Sequence, residues 1–129
     1  MIRPPAALRY AAALAAMLSL GACGDSAGHM DEAAVALSEH YASHPPTNGW
    51  VVKNIIQDND NDKLVALVMI TSDDDIQRLK MLSRMEQFTI AKLACPTMTP
   101  ALRDTLGDTR VWVRLKTQKE ELTASICPQ

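Results

Sequence analysis

The sequence predicts an α+β fold in which a long helix packs on one face of a small, mainly antiparallel four-stranded sheet. Two observations predict it. Strand-like segments occur as two pairs, and each pair is joined by a short polar connection. Between the pairs, residues 73–93 repeat apolar side chains at helical spacing. With a shorter helix before the first pair, the elements follow the order helix, hairpin, helix, hairpin.

The first predicted helix runs from Asp31 to about Ser43. Asp31 can cap its N-terminus, and Pro45 with Pro46 ends it. Its apolar face is modest and consists of Ala34, Val35, Leu37 and Tyr41.

The first hairpin is predicted from two segments, 50–57 and 63–71, joined by the polar residues 58–62. The second segment is apolar from Leu64 to Ile70 without alternation. A strand exposed to water on one side alternates, so this pattern indicates a central strand covered on both faces. Periodicity alone leaves a buried helix as the alternative.

The long helix is predicted over 73–93, with Ser72 as its cap and three aspartates in its first turn. Winding it at 100° per residue produces two apolar stripes. The broad stripe, which we expect on the sheet, is Ile76, Leu79, Leu82, Ile90 and Leu93. The second stripe is Met81, Met85 and Phe88.

The C-terminal part predicts a short helical turn, 100–106, and then two alternating strands, 110–116 and 120–127. We expect both strands to place their apolar residues on the same core face. Those residues are Val111, Val113 and Leu115 in the first strand and Leu122, Ala124 and Ile126 in the second.

The N-terminal residues carry a targeting pattern. Arg3 and Arg9 precede an apolar run, 10–20, that is shorter than the roughly 20 residues needed to span a bilayer. The run ends in Leu20-Gly21-Ala22-Cys23, which resembles the lipobox of bacterial lipoprotein precursors. The resemblance implies a diacylglyceryl thioether on Cys23, cleavage before it, and acylation of the new N-terminus, for example with palmitate.

This resemblance sets the expected domain organisation and location. Residues 1–22 are a signal peptide, 23–30 the lipidated cysteine with a short tether, and 31–129 a single α+β domain. An Asp directly after the cysteine favours retention at the inner membrane, but Gly24 stands there. We therefore expect a lipid anchor at the periplasmic face of the outer membrane.

Size and net charge limit the kinds of partner. Without its signal peptide the chain has about a hundred residues, which is enough for one domain. The whole chain has a net charge of -2, and removing Arg3 and Arg9 makes the remaining domain more acidic. An acidic domain argues against nucleic-acid binding.

Because the signal directs the chain to an oxidising compartment, we expect a Cys95–Cys127 disulfide. The alternative is a metal or redox thiol pair, although no Cys-x-x-Cys spacing occurs.

Two motifs with metal-binding potential are incomplete. Asp58, Asp60 and Asp62 match the opening of a calcium loop, whose glycine and final glutamate are missing, so a solvated hairpin loop is favoured.

His40 and His44 share a helical spacing next to Glu39, but not in the order of a metallopeptidase. No motif marks a nucleophile or a phosphate-binding glycine loop. We therefore expect no metal, no cofactor and no enzymatic activity.

Two candidate binding surfaces remain. Met81, Met85 and Phe88 could receive a segment of a protein partner, unless the first helix or the 96–100 loop covers them.

On the strand 110–116, the side opposite the core presents Arg110, Trp112, Arg114 and Lys116. This face could bind an anionic ligand, unless Trp112 packs under the first helix. The sequence thus favours a non-enzymatic accessory lipoprotein that binds an envelope protein. The alternative is a lipoprotein that captures an anionic envelope glycan or lipid.

Overall fold

The computed structural model describes residues 25–47 and 49–129, and this part of the chain has the predicted α+β architecture. Short 3-10 turns occupy Asn59–Asn61 and Lys92–Ala94. The helices are α1 (Asp25–Ser43), α2 (Asp73–Met81), α3 (Arg84–Ala91) and α4 (Pro100–Leu106), and the strands are β1 (Trp50–Asp58), β2 (Lys63–Ile70), β3 (Arg110–Lys116) and β4 (Glu121–Ile126).

The sheet has the order β1-β2-β3-β4 and is mixed. Both hairpin pairs are antiparallel as predicted, but the central pair, β2 with β3, is parallel. Lys63 pairs with Arg110 and Met69 with Lys116, so the two strands run in the same direction. A parallel pair requires a long crossover, which is supplied by the helical segment 73–106.

The core lies between one face of the sheet and the helices. Helix α1 buries Met30, Ala33, Leu37 and Tyr41. The Tyr41 hydroxyl donates a 2.7 Å hydrogen bond to the Ala94 carbonyl oxygen, and burial raises its pKa above the usual range. The strands add Leu64, Ala66, Val68 and Ile70 from β2 and Val111, Val113 and Leu115 from β3.

Helix α1 begins six residues earlier than predicted, at Asp25 rather than Asp31. The buried residues explain the difference, because Met30 continues the stripe of Ala33 and Leu37 by one helical step. Asp31 is therefore inside the helix, where its Oδ1 accepts a 3.0 Å hydrogen bond from Gln57 Nε2. Residues 25–30, expected to form a tether, belong to this helix.

The predicted long helix is wrong in one respect, since Leu82 and Ser83 interrupt it. Both residues have extended backbone, with ψ of 155° and 164°. Ser83 begins α3, because its Oγ accepts from the Glu86 N–H at 3.3 Å and donates to Glu86 Oε1 at 3.0 Å. This N-cap satisfies a free N–H of the new helix. Leu93, expected in the core stripe, is exposed.

The predicted core face of β4 is wrong for Ala124 and Ile126. Ser125 pairs with Val113, and Ala124 pairs with Arg114. This register places Ser125 and Thr123 on the core side and Ala124 and Ile126 on the opposite side. Leu122 packs against the core as predicted, opposite an irregularity in the pairing between Leu115 and Lys116.

This register buries the hydroxyl of Ser125, and the effect of that burial on stability can be measured. Its side chain is 0% exposed, and its Oγ has no hydrogen-bond partner among the described residues. A buried hydroxyl without a partner costs about 1 to 3 kcal/mol. Ser125→Ala is expected to raise the free energy of unfolding by about 1 kcal/mol in urea denaturation.

Thr117 is the matched control, because it is also buried but its Oγ1 accepts from the N–H groups of Lys119 and Glu120, both at 3.1 Å. Thr117→Ala is expected to destabilise the protein by about 1 kcal/mol. Equal losses from both variants would contradict the isolated state of the Ser125 hydroxyl.

The disulfide is confirmed. Cys95 follows the 3-10 turn after α3, and Cys127 follows β4. The two residues are bonded, with their Cα atoms 5.6 Å apart. The bond therefore fastens the helical layer to the last strand of the sheet.

Candidate functional site: an uncovered sheet face and the α3–β4 groove

Within the described residues, the sheet is covered on one face only. The buried core joins α1, α2, α3 and α4 to the same side of the strands. We call the other side the open face. The register assigns to it the following residues: Val51, Asn54, Ile56 and Asp58 of β1; Lys63, Val65, Leu67 and Met69 of β2; Arg110, Trp112, Arg114 and Lys116 of β3; and Glu121, Ala124 and Ile126 of β4.

The four predicted ligand residues of β3 alternate with Val111, Val113 and Leu115, which are fully buried. Alternation therefore brings the predicted set onto the open face. Helix α1 packs on the opposite side of the sheet. The alternative in which Trp112 lies under the first helix is thus wrong.

The cations of the open face have specific neighbours. Lys63 Nζ lies 4.8 Å from the centroid of the Trp112 ring and 3.8 Å from Asp58 Oδ2. Arg114 Nε lies 3.6 Å from Glu121 Oε1. Such exposed pairs contribute only about 0 to 1 kcal/mol each, so a partner's carboxylates can compete for these cations.

Two shallow grooves cross the open face. The first, of about 400 Å³, is bordered by Ile56, Lys63 and Arg114 and has Val65 at its floor. The second, of about 330 Å³, has Leu67 at its floor and Lys116 beside it. Ile56 and Arg114 line both grooves and stand between them. Polar and charged side chains make up most of the remaining lining, among them Asp58 and Asp60 in the first groove and Lys119 and Glu120 in the second.

The second predicted surface is also uncovered in the described part of the chain. Met81 is 86% exposed and Met85 is 75% exposed, so neither α1 nor the 96–100 loop covers them. Phe88 is half-buried, with Lys92 Nζ 5.2 Å from its ring centroid.

The break at Ser83 separates Met81 from the other two, because Met81 ends α2. Met85 and Phe88 line a groove of about 570 Å³ between α3 and the edge strand β4. The β4 side of this α3–β4 groove includes Leu122 and Ala124.

The calcium-like sequence forms a hairpin turn, as favoured. Asn61 Nδ2 donates a 2.9 Å hydrogen bond to Asp58 Oδ2, which lowers the pKa of Asp58. Asp62 has left-handed backbone at φ 49°. Among the residues that the structure describes, no group of three or more His, Cys, Asp or Glu side chains is placed to hold a metal ion.

The two histidines of α1 stack on each other. The rings of His40 and His44 have centroids 4.7 Å apart and an interplanar angle of 15°. Burial, followed by the neighbouring His44, lowers the pKa of His40. His40 Nε2 has no hydrogen-bond partner in the described residues. This pair is a packing feature at the C-terminal end of the helix.

The predicted lipid-attachment residue, Cys23, lies outside the described residues, as do the signal peptide and Gly24. In the segments 25–47 and 49–129, no helix has both the length and the apolar character needed to span a bilayer.

Comparison with known proteins adds no relative: no protein family, no curated protein and no solved structure matches this chain.

The open face as a whole was not predicted from the sequence. Its β3 residues were predicted, but the contribution of β1 and β2 was not, because the apolar run of β2 indicated cover on both faces. The register of β1 with β2 supplies the missing part.

Proposed function

We propose that this protein is a lipid-anchored accessory protein of the bacterial cell envelope that binds a protein partner near the outer membrane and has no catalytic activity. The proposed location is based on the lipobox resemblance at Cys23. The observation that carries the binding role is the exposure of Met81 and Met85 beside the α3–β4 groove. Exposed apolar surface of this kind favours association, and methionine adapts to irregular partners.

The variant Cys23→Ala tests the lipid anchor and the membrane location. A thioether cannot form without the thiol, and several acyl chains together hold a protein on a bilayer far more firmly than one. The variant is expected to lose metabolic labelling by a palmitate analogue and to leave the membrane fraction. Cys95→Ala/Cys127→Ala, which removes the disulfide and retains Cys23, should keep the label. Labelling that persists in Cys23→Ala would overturn the lipid anchor.

The binding role is tested by crosslinking in intact envelopes followed by pull-down. The variant Met81→Ser/Met85→Ser/Phe88→Ser is expected to recover several-fold less partner, because its apolar contacts are lost. Val35→Ser, at another exposed apolar site, on α1, serves as the control. The same proteins recovered equally by all three chains would count against this surface.

A second candidate function is the capture of an anionic envelope glycan or lipid on the open face. Its supporting observation is the row of Arg110, Arg114 and Lys116 on one uncovered strand face beside Trp112. Binding to phosphatidylglycerol vesicles or to a sulfated glycan should weaken in Arg110→Ala/Arg114→Ala. Unchanged binding would remove this candidate.

A further inference from the structure

Strand β2 has a sequence suited to cover on both faces. Its residues from Leu64 to Ile70 are apolar throughout, whereas a strand with one solvated face alternates with polar residues. The core side of β2 is covered by helices. On the open face, Val65 is shielded by its neighbours, while Leu67 and Met69 remain partly exposed. The described residues thus supply only one of the two covers.

The apolar area extends from β2 onto β1. Val51 is 48% exposed and Ile56 is 37% exposed, and both lie on the open face beside Met69 and Val65. An element that covers a sheet face must be apolar where it touches the strands. The centre of the missing cover is therefore apolar.

We infer that the open face packs against an amphipathic segment of another envelope protein, a segment that is apolar at its centre and acidic along the border that meets β3. The inference rests on the proposed function in one respect, because it assigns a protein partner to this anchored domain. It adds a surface and the chemistry of the partner.

Charge complementarity determines the acidic border. The open face carries Lys63, Arg110, Arg114 and Lys116, although the whole chain is acidic with a net charge of -2. Of the carboxylates that line its grooves, Asp58 is paired with Lys63 and Glu121 with Arg114. Glu120 is paired with Lys80 of α2, and Asp60 lies at the turn. A second copy docked face to face would bring the cations of both chains together. Like charges across an interface are unfavourable, so an acidic partner fits and a second copy does not.

A lipid surface fits less well than a protein. The hydrogen bond between Asp31 and Gln57 places the N-terminal half of α1 at the end of the sheet where the Asp58–Asp62 turn lies. An anchor at Cys23, two residues before α1, would bring this end towards the bilayer first. Its three aspartates are repelled by anionic lipid headgroups and outnumber the cations there, Lys63 and Arg110, while Arg114 and Lys116 lie farther along the strand.

A glycan also fits less well. Sugar recognition uses a free aromatic face for stacking, but Lys63 Nζ lies over the Trp112 ring. The groove floors at Val65 and Leu67 offer aliphatic contacts, which suit apolar side chains of a protein segment.

Site-specific photocrosslinking of the full chain in intact envelopes tests the inference. Ile56 is replaced by p-benzoylphenylalanine, and Val35, exposed on the helical side, is replaced in the control. We expect a protein adduct from position 56 and none of the same mass from position 35. Mass spectrometry should map the crosslink to an apolar segment flanked by Asp and Glu.

Charge variants supply the decisive comparison. Adding Arg114→Gln/Lys116→Gln is expected to reduce the adduct at position 56 at least fivefold. Arg103→Gln, which removes an exposed cation of α4, should leave the adduct unchanged. Thermal melts of each chain confirm that the variants are folded.

Several outcomes would overturn the inference: no adduct at position 56, an adduct with lipid or glycan, a product of twice the chain mass, or a protein adduct insensitive to the charge variants. They are distinguishable from failure of the proposed function. If the methionine and phenylalanine variant loses its partner while position 56 yields no adduct, the accessory role stands and the open face is not its site.

Discussion

Replacing Cys95 and Cys127 with alanine is expected to lower the free energy of unfolding by about 3 to 4 kcal/mol. The disulfide joins residues 32 positions apart. Without it the unfolded chain gains the conformational freedom of an open loop of that size. A domain of about a hundred residues has a total stability of only about 5 to 15 kcal/mol, so much of it depends on this bond. Urea denaturation of the full chain measures the change.

The single variants provide the control. Cys95→Ala and Cys127→Ala break the same bond, so each should cost nearly as much as the double variant. Double-mutant analysis would then show strong non-additivity. Two independent losses that sum to the double-variant value would contradict a stabilising crosslink.

Leu37→Ala is expected to destabilise the protein by about 3 kcal/mol, through lost burial and the cavity left in the core. Leu37 is 0% exposed and lies on the face of α1 that packs on the sheet. The measurement is the urea midpoint at constant slope.

Val35→Ala is the matched control on the same helix. Val35 is 57% exposed, and alanine has the higher helix propensity, so its stability should stay within about 0.5 kcal/mol of the parent chain. Similar losses from both variants would contradict the packing assigned to α1.

Local signals predicted most elements of the fold. The polar turn at 58–62 predicted the hairpin of β1 and β2. The Ser72 cap predicted the start of α2, and the proline at position 100 predicted the start of α4. Each of these signals acts within a few residues of the feature it determines, and a single sequence displays it directly.

Long-range features escaped prediction. The Ser83 cap, with Glu86 three residues later, was present in the sequence, but continuous apolar spacing from Ile76 to Ile90 concealed the break of the helix. The faces of β4 depend on its register with β3, which no periodicity in β4 itself reveals. Likewise, the uncovered side of β2 depends on where the helices pack.

The placement of the β3 cations on one face was predictable, because it depends on local alternation alone. Residues 110–116 alternate strictly, so the burial of Val111 and Val113 places Arg114 on the other side. The α3–β4 groove was predictable only in its methionines, because the strand that completes it is distant in the sequence.

The parallel pairing of β2 with β3 has a consequence for folding. The β1–β2 hairpin forms between segments that are close in the sequence, but an isolated hairpin is marginally stable. The second edge of β2 finds its partner only in residues 110–116, so closing the sheet requires the slower pairing of distant segments. Until that pairing forms, the apolar edge of β2 is the part of the chain most prone to aggregation.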